Sequence, residues 1–109
     1  MDGLVERLAW PRDRVVLSYQ SRGERDVWLK PYTDEVLVDL GRRQARVAVI
    51  CPGFVADCLE TLEEINISGR ELFIGAGGRD FHYIRCLNDD AAWREGLAAI
   101  VQRELSGWI

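Results

Sequence analysis

The chain has 109 residues, 48% of them hydrophobic and 29% charged, and carries a formal net charge of −4. That apolar share supports one packed domain and argues against a disordered segment. The 14 basic residues are scattered and almost all arginine, with Lys30 the only lysine, so there is no basic stripe and nucleic acid is excluded as a first partner. Cysteine occurs at positions 51, 58 and 86, with no C-x-x-C pair. This spacing fits neither a disulfide framework nor a zinc knuckle and suits a reducing compartment. No leader pattern and no apolar run near 18 residues is present, so the expectation is a cytoplasmic protein.

In chain order, Leu4, Val5 and Leu8 have helical spacing that Trp10-Pro11 cuts off. Arg14–Tyr19, centred on Val15-Val16-Leu17, reads as a strand buried on both faces. A polar loop follows, and Tyr32-Thr33-Asp34-Glu35 opens a helix with carboxylates in its first turn. Val36, Leu37 and Leu40 form the apolar face of that helix, and Gly41 with Arg42-Arg43 marks its end. Arg46–Ile50 is a second buried strand. After a turn at Pro52-Gly53, a helix carries Asp57, and a further helical stretch over residues 68–76 closes at Gly77-Gly78. Phe81–Leu87 is a third strand. Asn88 caps a last helix whose face is Trp93, Leu97, Ile100 or Val101, and Leu105.

The alternation of strands and helices calls for an α/β fold, a three-layer arrangement with a parallel sheet covered on both faces. Ligands of such sheets lie beyond the carboxyl ends of the strands. Those ends deliver Gln20-Ser21-Arg22, Cys51–Phe54 and Leu87-Asn88-Asp89 to one edge.

The helix after Pro52-Gly53 is unusually acidic. On a helical wheel Asp57, Glu60 and Glu64 fall within an arc of roughly 60°. Like charges at i,i+4 cost a few tenths of a kcal/mol, and a cation, a proton or solvent can each offset that. Asp57 and Glu60 also have capping-box spacing, which needs no chemistry, and Glu64 equally suits a solvated face. Arg22 reads as a surface residue, His82 as packing or surface, and Cys58 as a minor candidate ligand. Gly75-Ala-Gly-Gly78 lacks the spacing of a phosphate loop.

Several stretches taken together are more specific. Ser18-Tyr-Gln-Ser-Arg22, Trp28-Leu29, Pro31-Tyr-Thr-Asp-Glu35, Pro52-Gly-Phe-Val-Ala-Asp-Cys-Leu-Glu-Thr-Leu-Glu-Glu64 and Cys86-Leu-Asn-Asp89 resemble, in order and interval, the C-terminal part of ferrochelatase. That family inserts Fe²⁺ into protoporphyrin IX. The resemblance implies an incomplete chelatase-like domain, with Glu60 as the glutamate of a catalytic His–Glu pair. Asp57 and Glu64 would continue an acidic metal path beside it. Trp28, Gln20 and Ser21 would meet the porphyrin. The histidine of the pair belongs to a preceding strand that these residues do not include, so activity is expected only with that missing portion. Fe²⁺ and protoporphyrin would be substrates, with no permanently bound cofactor. The ending Ser106-Gly-Trp-Ile109 has none of the cysteines of a family iron–sulfur cluster. A sheet lacking a central strand would leave unpaired edges and apolar faces, so self-association is expected. The competing expectation is a non-catalytic fragment that binds porphyrin or a partner.

Overall fold

The computed structural model describes residues 2–20 and 29–108. Helix α1 spans Asp2–Leu8, α2 Thr33–Arg42, α3 Leu59–Leu62, α4 Arg70–Gly75 and α5 Ala91–Glu104; strands β1 and β2 span Arg46–Ile50 and Asp80–Ile84. A π-helix over Glu64–Gly69 joins α3 to α4. The helical crossover from β1 to β2 makes the pair parallel. Packing groups the chain into two compact units, Met1–Arg46 with Glu71–Asp80, and Val47–Arg70 with Phe81–Ile109.

In the first unit, α2 buries Leu37, and α4 buries Phe73 completely. The helix α2 ends at Arg42 with Arg43 as its C-cap, where the Gly41-Arg42-Arg43 run was expected to end it, and within its last turn stands Gly41. Its role is close approach: a Cβ there would lie 2.5 Å from the Phe73 carbonyl oxygen and 2.8 Å from the Ala76 Cβ. The end of α4 follows the expected glycine pair. Gly77 has φ +116°, its N–H donates to Ile74 O at 3.0 Å, and Gly78 N–H donates to Phe73 O at 2.9 Å. These two bonds make a Schellman cap.

The expected first strand does not enter the sheet. Among the described residues Tyr19 makes an isolated parallel bridge with Tyr32, through Tyr19 N–H to Pro31 O and Thr33 N–H to Tyr19 O, both 2.9 Å. Val16 and Leu17 are exposed. An apolar run becomes a strand only where a neighbour takes up its backbone groups, and Val15–Ser18 has no ladder partner among the described residues. The sheet is therefore two-stranded there, a small α/β arrangement compatible with a chelatase-like domain rather than the full three-stranded, three-layer sheet that was expected.

In the second unit, β1 covers one face, not two. Val47 and Val49 are half-buried while Ala48 and Ile50 are exposed. On β2, Phe81 is buried, Tyr83 is half-buried and His82 is exposed. Arg70 ties the π-helix to β2. Its guanidinium donates to Asn66 O, Asn66 Oδ1 and Phe81 O at 3.1, 2.7 and 2.9 Å, and it lies over the Phe81 ring. Helix α5 is capped by Asp90, whose Oδ1 accepts from Ala92 and Trp93 N–H. The expected cap, Asn88, instead holds a left-handed backbone at φ 51° and sends its side chain elsewhere. Trp93 is half-buried, but Leu97, Ile100, Val101 and Leu105 stay 41–45% exposed. Among the described residues no helix is long and apolar enough to cross a membrane.

Candidate active site

The acidic arc of the helical wheel assumes one unbroken α-helix, whereas its three residues lie on three kinds of backbone. Asp57 precedes α3, Glu60 is inside it, and Glu64 begins the π-helix. The π turn bonds i to i−5, as in Ser68 N–H to Glu63 O at 2.8 Å, so side chains no longer advance by the α-helical step. Helix α3 opens with Cys58 at its N-cap. The Thr61 hydroxyl accepts from Cys58 N–H at 2.9 Å, so the capping pair is Cys58 with Thr61 rather than Asp57 with Glu60.

Asp57 has a different task. Tyr83 O–H donates to its Oδ1 at 2.5 Å, and Thr61 O–H lies 3.0 Å from the same oxygen. Asn88 Nδ2–H and Cys86 N–H donate to Oδ2 at 2.8 and 3.3 Å. Asp57 N–H returns a bond to Asn88 Oδ1 at 2.8 Å. Nearby, Asn88 N–H donates to Val55 O at 2.8 Å. The exits of β1 and β2 are thus stitched together at one carboxylate. The Tyr83 bond, then the Asn88 bond, holds the Asp57 carboxyl far below the usual range, since hydrogen bonds to the charged form favour it. Burial, then the bond to Asp57, pushes the Tyr83 phenol up, so the proton stays on tyrosine.

A carboxylate with a depressed folded pKa contributes stability that is fully present above the ordinary aspartate value of about 3.9 and is lost as pH falls below it. Asp57→Asn should therefore flatten the acid limb of the stability profile, measured by urea midpoints between about pH 5 and pH 2.5. A variant as acid-sensitive as the parent would show that the hub does not carry this dependence.

Glu60 is half-buried. The Cys58 side chain, followed by Glu60's own backbone N–H, donates to its carboxylate and holds its pKa below the ordinary value. The two donors outweigh a modest desolvation, which alone would raise the value. Glu64 is exposed. Among the described residues no three His, Cys, Asp or Glu side chains are arranged to hold a metal ion, and Asp57 has its oxygens turned to four donors. Cys51 is buried, and burial with neighbouring Cys86 and Asp57 pushes its thiol up to about 11, leaving it an unreactive thiol at neutral pH. Gln20 is half-buried in the first unit; Ser21, Arg22 and Trp28 lie outside the described residues.

Thr61, Tyr83 and Asn88 were not expected as partners of Asp57. Thr61 and Asn88 sit within the quoted motifs, one four residues beyond Asp57 and the other in Cys86-Leu-Asn-Asp89. Tyr83 gave only a strand alternation, which says which face it occupies but not what it meets.

Glu60 lies on a short helix that follows the carboxyl end of β1, the edge at which α/β sheets generally bind their ligands. The sequence profile described as Ferrochelatase matches residues 1–105, and the chain belongs to the ferrochelatase family. It is 56% identical over 106 residues to the ferrochelatase of Chromobacterium violaceum, covering 96% of this chain and 29% of that protein. It is 52% identical over 106 residues to that of Bordetella pertussis, with the same coverage. To that of Azoarcus sp. it is 51% identical over 107 residues, covering 97% of this chain and 30% of the relative. The chain thus spans less than a third of the length of these curated relatives.

Proposed function

We propose that these 109 residues supply the Glu60-bearing wall of a site that inserts Fe²⁺ into protoporphyrin IX, in haem biosynthesis. The observation that supports this reading is the placement of Glu60. It is an ionised carboxylate, half-buried and held by Cys58, on a helix pinned to the strand exits. Metallation exchanges two pyrrole protons for one Fe²⁺, so the site must accept two protons. Glu60 accepts one in its ionised form. A macrocycle seated over it removes water and raises its affinity for that proton. The histidine of the family's pair, in the portion these residues do not include, takes the second.

Glu64 stands beyond Glu60 on the π-helix and passes metal or protons along the solvent side; carboxylates suit Fe²⁺. Asp57, saturated by donors, belongs to this path as an electrostatic neighbour rather than a ligand. Trp28, Gln20 and Ser21 receive the porphyrin. The setting is a reducing cytoplasm, which three free cysteines suit.

The test mixes the chain with protoporphyrin and Fe²⁺, alone and with the remaining portion of the Chromobacterium violaceum ferrochelatase, and follows haem formation at the Soret band. Turnover in the mixture and none with the chain alone is the expected result. Turnover by the chain alone would overturn the division of the catalytic pair. Porphyrin binding without turnover in an assembled mixture would favour the non-catalytic reading.

A further inference from the structure

We propose that Tyr83 and Asn88 are positioning residues for Glu60, acting through Asp57; the proposal rests on the reading that Glu60 is the working carboxylate. Helix α3 has four residues, Leu59–Leu62, and a helix that short does not hold its own direction in water. The orientation of Glu60 is therefore set by what grips the two ends of α3. On the far side the π-helix is clamped by Arg70 to Asn66 and to the Phe81 carbonyl. On the near side the grip is Asp57, three residues before Glu60.

The donors to Asp57 come from two sources. Thr61 belongs to α3 itself, so its bond moves with the helix. Tyr83, Cys86 and Asn88 belong to β2 and the loop after it, so theirs fix the helix against the strand exit. Of these three, the Cys86 bond is the longest, at 3.3 Å against 2.5 and 2.8 Å. Asn88 is the better anchored for being bonded twice, donating to Oδ2 and accepting from Asp57 N–H. From Asp57 the register passes through Thr61 to the N-cap of α3, since the Thr61 hydroxyl, bonded to Asp57, also accepts from Cys58 N–H two residues before Glu60. Each link is a hydrogen bond between groups already described. None of them leaves Tyr83 or Asn88 to touch the reacting atoms.

A displacement of about 1 Å at a reacting group can cost on the order of 10²-fold in rate. Loss of one shared donor should fall short of that, near tenfold. Tyr83 and Asn88 are not among the residues proposed to receive the porphyrin, so the effect should appear in kcat and leave the porphyrin KM within about twofold.

The test uses the chain assembled with its complementary ferrochelatase portion, comparing Tyr83→Phe, Asn88→Gly, Glu60→Gln and the Tyr83→Phe/Glu60→Gln double variant. Glycine suits position 88 because the backbone there is left-handed, so this variant removes both side-chain bonds without backbone strain and serves if Tyr83→Phe does not fold. Expected are a kcat near one tenth of the parent for each single positioning variant, an unchanged KM, and a double variant no slower than Glu60→Gln. That non-additivity is the signature of residues acting through one group. Lower thermal midpoints with unchanged kcat would show a merely structural role and overturn the proposal, as would losses that multiply in the double variant. If Glu60→Gln is itself fully active, the functional reading fails and the positioning role with it, and that outcome is distinct from either.

Discussion

Replacing Phe73 by alanine should cost about 3–5 kcal/mol of folding stability, the range for a large aromatic truncated in a closed core. Phe73 is the most completely buried large side chain among the described residues. Its ring lies against Gly78, where even a Cβ would collide with it, and its carbonyl oxygen faces Gly41. Gly78 lets its backbone close against the ring and Gly41 lets α2 close against the backbone of α4, so the surroundings have little freedom to collapse into the vacated volume. A domain of this size has a total stability of only about 5–15 kcal/mol, so the variant should be largely unfolded or show a much reduced urea midpoint. Phe73→Leu, which keeps most of the volume, should lose far less. A Phe73→Ala midpoint equal to that of the parent would mean that the first unit is not organised around this ring.

The second large effect is on chemistry. In the chain assembled with its complement, Glu60→Gln should lower haem formation by about 10²–10⁴-fold, the contribution typical of a positioned proton acceptor. Glutamine keeps the shape and still accepts a bond from Cys58, but it takes no pyrrole proton. The loss should lie in kcat, since an isosteric change leaves porphyrin binding in place. Glu64→Gln should do much less, because Glu64 is exposed and solvent can replace it. Equal losses at both positions would point to bulk acidity of the helix instead of one working carboxylate.

The difference between what was legible in the sequence and what was not follows the range of the interactions. Local signals read true: the carboxylate-rich start of α2, the apolar run of β1 and the glycine pair that caps α4 are each decided within a turn or a strand. The family was legible too, because several short motifs at fixed intervals carry more information than any one of them. What failed depended on distant partners. Arg14–Tyr19 has a strand's composition, yet its backbone meets Tyr32 at a single bridge among the described residues. The acidic arc assumed an unbroken α-helix, and the π segment at Glu64–Gly69 removed its premise. Asn88 was read as a cap because asparagine before a helix usually is one, whereas Asp90 caps and Asn88 reaches 31 residues back to Asp57. Legibility thus ran out where a side chain's partner lay on another element.

The proposed role of this stretch is to contribute Glu60 to a metal-inserting site. The most direct measurement replaces the matching region of the Chromobacterium violaceum ferrochelatase, 56% identical to it, by this chain and records the initial rate of Fe²⁺ insertion at the Soret band. Turnover within about tenfold of the parent enzyme is expected, as when the reacting geometry is retained. A folded chimera that binds protoporphyrin and forms no haem would contradict it.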